Sequence, residues 1–280
     1  GKGVTVAANL AEAKAAVREA MAGGRFGAAG DEVVIEDYID GEAVTILSFT
    51  DGKTVVPMPP VQDHQRVGEG DTGPHTGGMG AYSPVAVYTP EVARVVDEKI
   101  IQPTLKGLAE EGIEYCGCLY FGLILPSDKS NYKGPQVIEY NARFGDPETE
   151  VLMPLLESDL VKIMLACVDG TLADCEVKWS GDSAVCVVIA SGGYPGEYKN
   201  GQVITESVPA HGGAALAFHG GTALNDKFEC VTAGGRVITV AAKEETLEKA
   251  LFIAYDRVRS FHFKNCYYRS DIAYRELARR

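Results

Sequence analysis

The stretch from residue 59 to residue 84 constrains the fold of this chain more than any other. It carries Pro59, Pro60, Pro74 and Pro84, and between them Gly68, Gly70, Gly73, Gly77, Gly78 and Gly80. Proline fixes φ and removes a backbone donor, and glycine loses more entropy than other residues in a helix or strand. The sequence therefore predicts one long loop here and no regular element. Long loops inside compact domains are mostly functional.

The flanking sequence is more regular. Residues 3–7 read as a strand, followed by Asn9 as the N-cap of a helix whose apolar face is Leu10, Ala13, Val17 and Met21. Residues 33–35 read as a short buried strand, and residues 43–49 and 54–58 as a hairpin turned at Asp51-Gly52. Thr89-Pro90-Glu91 opens a helix, residues 115–125 and 136–140 are strands, and a helical region runs from Thr149 to Cys167 with a break near 156–158. A second unit begins near residue 180 with a buried strand at 184–190. Residues 228–232 and 236–242 flank Gly234-Gly235 as a further hairpin, and Leu247, Ala250, Leu251, Ala254 and Val258 mark a helix. Mixed sheets with few helices give an α+β class.

Composition excludes some functions. The net charge of −13 disfavours nucleic acid and anionic membrane as partners. No apolar run approaches the ~20 residues of a membrane helix. The seven cysteines are scattered without C-x-x-C spacing, which predicts free thiols and a cytoplasmic location. The chain opens Gly1-Lys2-Gly3-Val4 directly into a strand-like run, so further sequence upstream is expected.

Two motifs carry chemistry. In the run from Val137 to Glu148, strand alternation places Glu139 and Asn141 on one face. A carboxylate and an amide carbonyl together offer hard oxygen ligands suited to Mg2+ on nucleotide phosphates. Arg143 follows at the same spacing and could reach phosphate oxygens. The same pattern also fits a strand end turning to solvent. In the run from Gly70 to Gly80, five glycines in eleven residues argue against a packing role and for backbone amides approaching an anion. A mobile surface loop is the alternative. The G-x-G-x-x-G at residues 68–73 follows no strand and opens no helix, so it is no dinucleotide fingerprint. Upstream, His64 and Arg66 lie in a polar run that favours substrate binding. P-loop, serine-hydrolase and zinc-hydrolase motifs are absent.

The segments PMPPVQDHQR, GDTGPHTGGMGAYSP and VIEYNARFGDPETEVLMPLL resemble the glycinamide ribonucleotide synthetase family of ATP-grasp ligases, as do SGGYPGEY, GGRVITV and YRSDIAYR. The resemblance covers nearly the whole chain. It implies a partial ATP-grasp small lobe (1–38), a large lobe (39–178) and a C-terminal α+β domain (179–280). It also implies ATP-dependent ligation of glycine to 5-phosphoribosylamine through a glycyl phosphate, within a polypeptide that in some members is multifunctional. Glu139 and Asn141 match the ligands for Mg2+ or Mn2+. Val34, Ile35, Glu36, Asp37 and Ile39 match the hinge that reads adenine, and Lys2 and Gly3 match the phosphate flap. Arg143, Asp146 and His64 fall at catalytic positions. Asp63 and Asp71, with Gly73, Thr76, Gly77, Gly78 and Gly80, border the pocket for glycine and phosphoribosylamine.

Three positions depart from the family's pattern. The hinge acid that would hold ribose is Ala43, which leaves Glu42, beside it on the opposite strand face, as the nucleotide-binding candidate, and Gln65 and His75 replace a lysine and an asparagine. Because the family's upstream region is not in this sequence, the chain alone is expected to bind nucleotide weakly without efficient synthesis. The alternatives are a nucleotide-binding fragment without turnover and an ATP-grasp ligase for another carboxylate.

Overall fold

The computed structural model describes residues 3–208 and 214–279. Helix α1 (Leu10–Met21) starts where Asn9 caps it, its side chain accepting from Glu12 N. Residues 3–7 are not a strand, and no ladder forms at residues 33–35, where Val34 and Ile35 are 86% and 82% exposed. Among the described residues no strand lies beside this segment, so its apolar pattern has nothing to pack on. Strand β1 (Gly41–Thr50) turns at Asp51-Gly52 into β2 (Val55–Pro57). Asp51 fixes that turn, its Oδ1 accepting from Lys53 N and Thr54 N at 3.0 and 2.6 Å, while Gly52 takes a φ of 85°.

Residues 59–84 are not one loop. They hold β3 (Gln62–Asp63), β4 (Arg66–Gly68), β5 (Thr72–His75) and β6 (Gly80–Ser83). The glycines permit this by letting neighbours approach. A Cβ at Gly78 would stand 2.4 Å from Pro147 Cδ, and one at Gly80 2.6 Å from Cys186 O. Close packing accounts for Gly78 and Gly80, a role that the sequence reading of the motif did not give them.

Helices α2 (Pro90–Val96) and α3 (Gln102–Glu110) follow, joined by a π-turn and started by the Thr89 cap. Strands β7 (Gly117–Pro126) and β8 (Gln136–Asn141) complete an antiparallel sheet ordered β2-β1-β7-β8. Helices α4 (Glu148–Leu155) and α5 (Leu160–Asp169) come next, and then β9 (Ser183–Ala190), buried along its whole length.

Short strands β10 (Thr205–Glu206), β11 (Leu216–His219), β12 (Thr222–Leu224) and β13 (Cys230–Thr232) precede β14 (Arg236–Glu244), helix α6 (Leu247–Val258), β15 (Phe261–His262) and α7 (Tyr274–Leu277). The expected hairpin across Gly234-Gly235 does not form. β13 pairs with β12, and β14 pairs with β11 and β9. Long-range burial of β14 beside β9 outweighs the local turn signal.

The second sheet, β11-β14-β9-β6-β3, joins strands from both sides of residue 179. Alternation along β9 splits the core. Val185, Val187 and Ile189 pack with Ala250, Ala254 and Val258 of α6, whereas Ala184 and Cys186 pack with Val151 and Leu152 of α4. The first sheet thus presents β8, and the second presents β3 and the start of β14, around the N-terminus of α4. All seven cysteines are free, and among the described residues no helix is long and apolar enough to cross a membrane.

Candidate active site

The site grows from the end of β8. Glu139 and Asn141 share a face, and Asn141 Nδ2 donates to Glu139 Oε1 at 3.1 Å. Gly122 opposite Glu139 on β7 makes room, since a Cβ there would lie 2.8 Å from Glu139 Cγ. The chain then turns through Arg143, whose Nη1 donates to Phe144 O at 2.7 Å and whose guanidinium sits 6.0 Å from the Tyr120 ring centre. It enters α4 at Glu148. That carboxylate is buried, and its Oε1 accepts from Tyr120 OH at 2.9 Å and Thr45 Oγ1 at 3.3 Å.

Two further segments close the site. Asp63, at the end of β3, has a buried Oδ1 with no partner among the described residues. Burial first, and the charge of Glu148 next, push the Asp63 carboxyl well above the usual range. Burial likewise raises Glu148. Arg236, at the start of β14, donates from Nη2 to Asp146 Oδ2 at 2.8 Å and from Nη1 to Gly77 O at 2.8 Å. The result is a cleft of about 250 Å³ walled by Asp63, Gln65, Thr76 and Gly77, by Tyr120, Glu139, Arg143 and Phe144, and by Asp146, Glu148 and Arg236.

The structure therefore gathers Asp63, Thr76, Gly77, Glu139, Arg143 and Asp146 at one cleft, with Asn141 beside Glu139. It does not bring His64 there. That imidazole is buried, accepts from Ala273 N at Nε2 (2.9 Å) and faces Asp71 through Nδ1 (3.4 Å), so both nitrogens are engaged. Asp71 is taken by Arg269, Arg275 and Tyr274, and Gly73 lends its carbonyl to Arg66. Glu42 pairs with Arg279, across the strand from where a nucleotide-binding acid at position 43 would project. In the hinge, Asp37 accepts from Tyr132 OH, Glu36 is exposed and Ile39 is half-buried. Gly3 is exposed, and Lys2 lies outside the described residues.

Sequence reasoning missed Arg236, Glu148, Tyr120 and Tyr194, whose OH accepts from Gly77 N at 2.9 Å. Glu148 had a signal, being the last acid of the RFGDPE run. Arg236 lies in the GGRVITV segment of the family resemblance, but its partners are ninety residues or more away in the chain, so no local pattern pointed to the cleft.

The model of the phosphoribosylglycinamide synthetase ATP-grasp (A) domain matches residues 1–149, and that of the same synthetase's C domain matches residues 184–275. The chain belongs to the phosphoribosylglycinamide synthetase family. Its ATP-grasp fold agrees with the crystal structure of phosphoribosylamine–glycine ligase from Thermotoga maritima, at a TM-score of 0.79 and 34% identity over 94% of this chain and 64% of that one. The phosphoribosylamine–glycine ligase of Pseudomonas aeruginosa is 49% identical over 279 residues, which are 100% of this chain and 64% of that protein. The trifunctional purine biosynthetic protein adenosine-3 of Gallus gallus is 48% identical over 99% of this chain and 27% of its own length. The chain thus spans about two thirds or less of these relatives. Within this synthetase-family chain, Glu139 and Arg143 lie in the A-domain match and Arg236 in the C-domain match, so the cleft is shared between the two.

Proposed function

We propose that this chain carries the nucleotide-binding and C-terminal parts of an ATP-dependent ligase that joins glycine to 5-phosphoribosylamine, giving glycinamide ribonucleotide, ADP and phosphate. The observation that carries the reading is the convergence of Glu139 and Arg143, with Asn141 bonded to Glu139, on a cleft closed by Arg236. The donor set fits a hard divalent ion, two side-chain oxygens on one strand face leaving other positions to phosphates and water. Mg2+ or Mn2+ held by Glu139 and Asn141 would offset phosphate charge.

The reaction proceeds in two displacements. A carboxylate oxygen of glycine attacks the γ-phosphorus of ATP and ADP leaves. The amine nitrogen then attacks the carbonyl carbon of glycyl phosphate, the C–O bond to phosphate breaks, and the nitrogen loses a proton. Arg143 offsets charge on the transferring group, and positioning supplies much of the rest. Asp63 stands in the cleft wall with an Oδ1 that has no partner among the described residues, and in its ionised form that oxygen is placed to take up the proton. Residues 34–38 are exposed, which leaves this segment available to the adenine edge. The seven free thiols support a cytoplasmic setting, and the Gallus gallus relative supports a place for such a chain within a multifunctional polypeptide.

The test is phosphate release measured with each substrate omitted in turn, using the protein that contains this chain. Release that needs ATP, glycine and 5-phosphoribosylamine together supports the reading. Release that proceeds without either glycine or the amine contradicts it.

A further inference from the structure

The two arginines of the cleft are held differently. Arg143 rests over Tyr120 and spends one donor on the adjacent carbonyl of Phe144. Arg236 is fixed from several directions. Nη1 donates to Gly77 O (2.8 Å) and Asp146 O (3.1 Å), and Nη2 to Asp146 Oδ2 (2.8 Å). Its guanidinium lies face-on to Gly77, where an added Cβ would be 2.8 Å from Nη2, 2.9 Å from Cζ and 3.2 Å from Nε. A side chain at position 77 would therefore evict it.

These contacts use the Nη1/Nη2 end of the guanidinium. Nε–H and one Nη2–H have no acceptor among the described residues, and Arg236 lines the cleft. Those two donors form a fork matched to two oxygens of a carboxylate or phosphate. Stability is a poor reason for the arrangement, because the Asp146 side chain is 59% exposed and such pairs contribute little. Charge gives a better one. The cleft wall carries Asp63, Glu139, Asp146 and Glu148, and among the described residues the cations that line it are Arg143 and Arg236. An anion entering a chain of net charge −13 needs a fixed cation to meet it.

We propose that Arg236 is a second oxyanion receptor of the cleft, taking through its Nε/Nη2 edge the phosphate or carboxylate of a substrate other than the nucleotide. The inference rests on the ligase reading, in which that oxyanion is the 5-phosphate of the ribosylamine or the carboxylate of glycine.

The test is binding of ribose 5-phosphate and of glycine, each alone, to the wild-type protein and to Arg236→Gln, by calorimetry or ligand-observed NMR. Affinity for at least one ligand should fall about tenfold or more, with ATP·Mg2+ affinity unchanged. Loss for ribose 5-phosphate alone identifies the phosphate as the source, loss for glycine alone the carboxylate, and loss for both a shared receptor. Arg236→Lys keeps the charge without the fork and should recover only part of the affinity. It carries the test if the glutamine variant fails to fold. Gly77→Ala should reproduce the loss by displacing the guanidinium. Unchanged affinity for both ligands, a parallel loss of ATP·Mg2+ binding, or no binding of either ligand by the wild type overturns the proposal. Failure of the ligase reading shows separately, as wild-type phosphate release that does not need glycine and the ribosylamine together.

Discussion

Arg269, whose side chain is fully buried, donates through Nη1 to Asp71 Oδ1 at 2.7 Å, joining residues 198 positions apart. Its Nε donates to Asp271 Oδ1 at 2.8 Å, and Asp271 Oδ2 accepts from Gly70 N at 2.7 Å. These contacts pin the β4–β5 hairpin to residues 269–275, and the same glycine-rich segment carries Asp63, Thr76 and Gly77 into the cleft. Removing one partner of a buried ion pair leaves the other charge uncompensated. Arg269→Met should lower the unfolding free energy by about 3 kcal/mol or more in a denaturant titration. A loss under about 1 kcal/mol would mean that Arg275 and Tyr274 hold Asp71 by themselves.

The same cluster sets the acid limb of stability. Burial holds the His64 pKa below its ordinary value, so the unfolded chain takes up the proton first. That contribution is intact above about pH 6.5 and is lost as the pH falls from there through the folded value. For Asp71, burial acts to raise the pKa, but hydrogen bonds from His64 and Arg269 outweigh it and the net shift is downward. Its contribution is intact above about pH 4 and fades below. Unfolding free energy against pH should therefore fall in two stages, with His64→Gln flattening the upper and Asp71→Asn the lower. A profile unchanged by either substitution would contradict this assignment.

Glu139→Gln should leave the fold intact and abolish the Mg2+ dependence of nucleotide binding, because only the carboxylate brings a full charge to the Glu139–Asn141 pair. Calorimetry with ATP at varied Mg2+ reads it. Metal dependence equal to the wild type would remove these two residues from the role.

That pair was legible in the sequence because strand alternation is local, and so were the Asp51-Gly52 hairpin and the Asn9 and Thr89 caps. Contacts across the chain were not. His64 lay in a polar run that favoured substrate binding and fell at a catalytic position by family resemblance, yet Ala273, 209 residues on, occupies its Nε2. Gly78 and Gly80 looked like ligand-binding glycines, and the atoms that exclude a Cβ there belong to Pro147, Asp63, Cys186 and Ile272. Arg236 followed a glycine pair read as a turn, and only the pairing of β14 with β9 places it beside Asp146.

Ala43 sits on β1 with its side chain on the exposed face, whereas Glu42 is committed to Arg279. Ala43→Glu would add a carboxylate on the side where the family's pattern places one for ribose. Because a hydrogen bond to a charged group is worth on the order of 1.5–3 kcal/mol, ATP should bind about tenfold tighter or more. Unchanged affinity in calorimetry would show that another group already holds the ribose.

We propose that glycine is activated as an acyl phosphate in this cleft. Glycine labelled with oxygen-18 in its carboxylate tests it most directly, with inorganic phosphate collected from turnover by the protein that contains this chain and analysed by mass spectrometry. If the carboxylate attacks the γ-phosphorus and the amine then displaces phosphate at carbon, each phosphate released leaves with one labelled oxygen. Unlabelled phosphate, formed at the same rate as glycinamide ribonucleotide, would rule out an acyl phosphate.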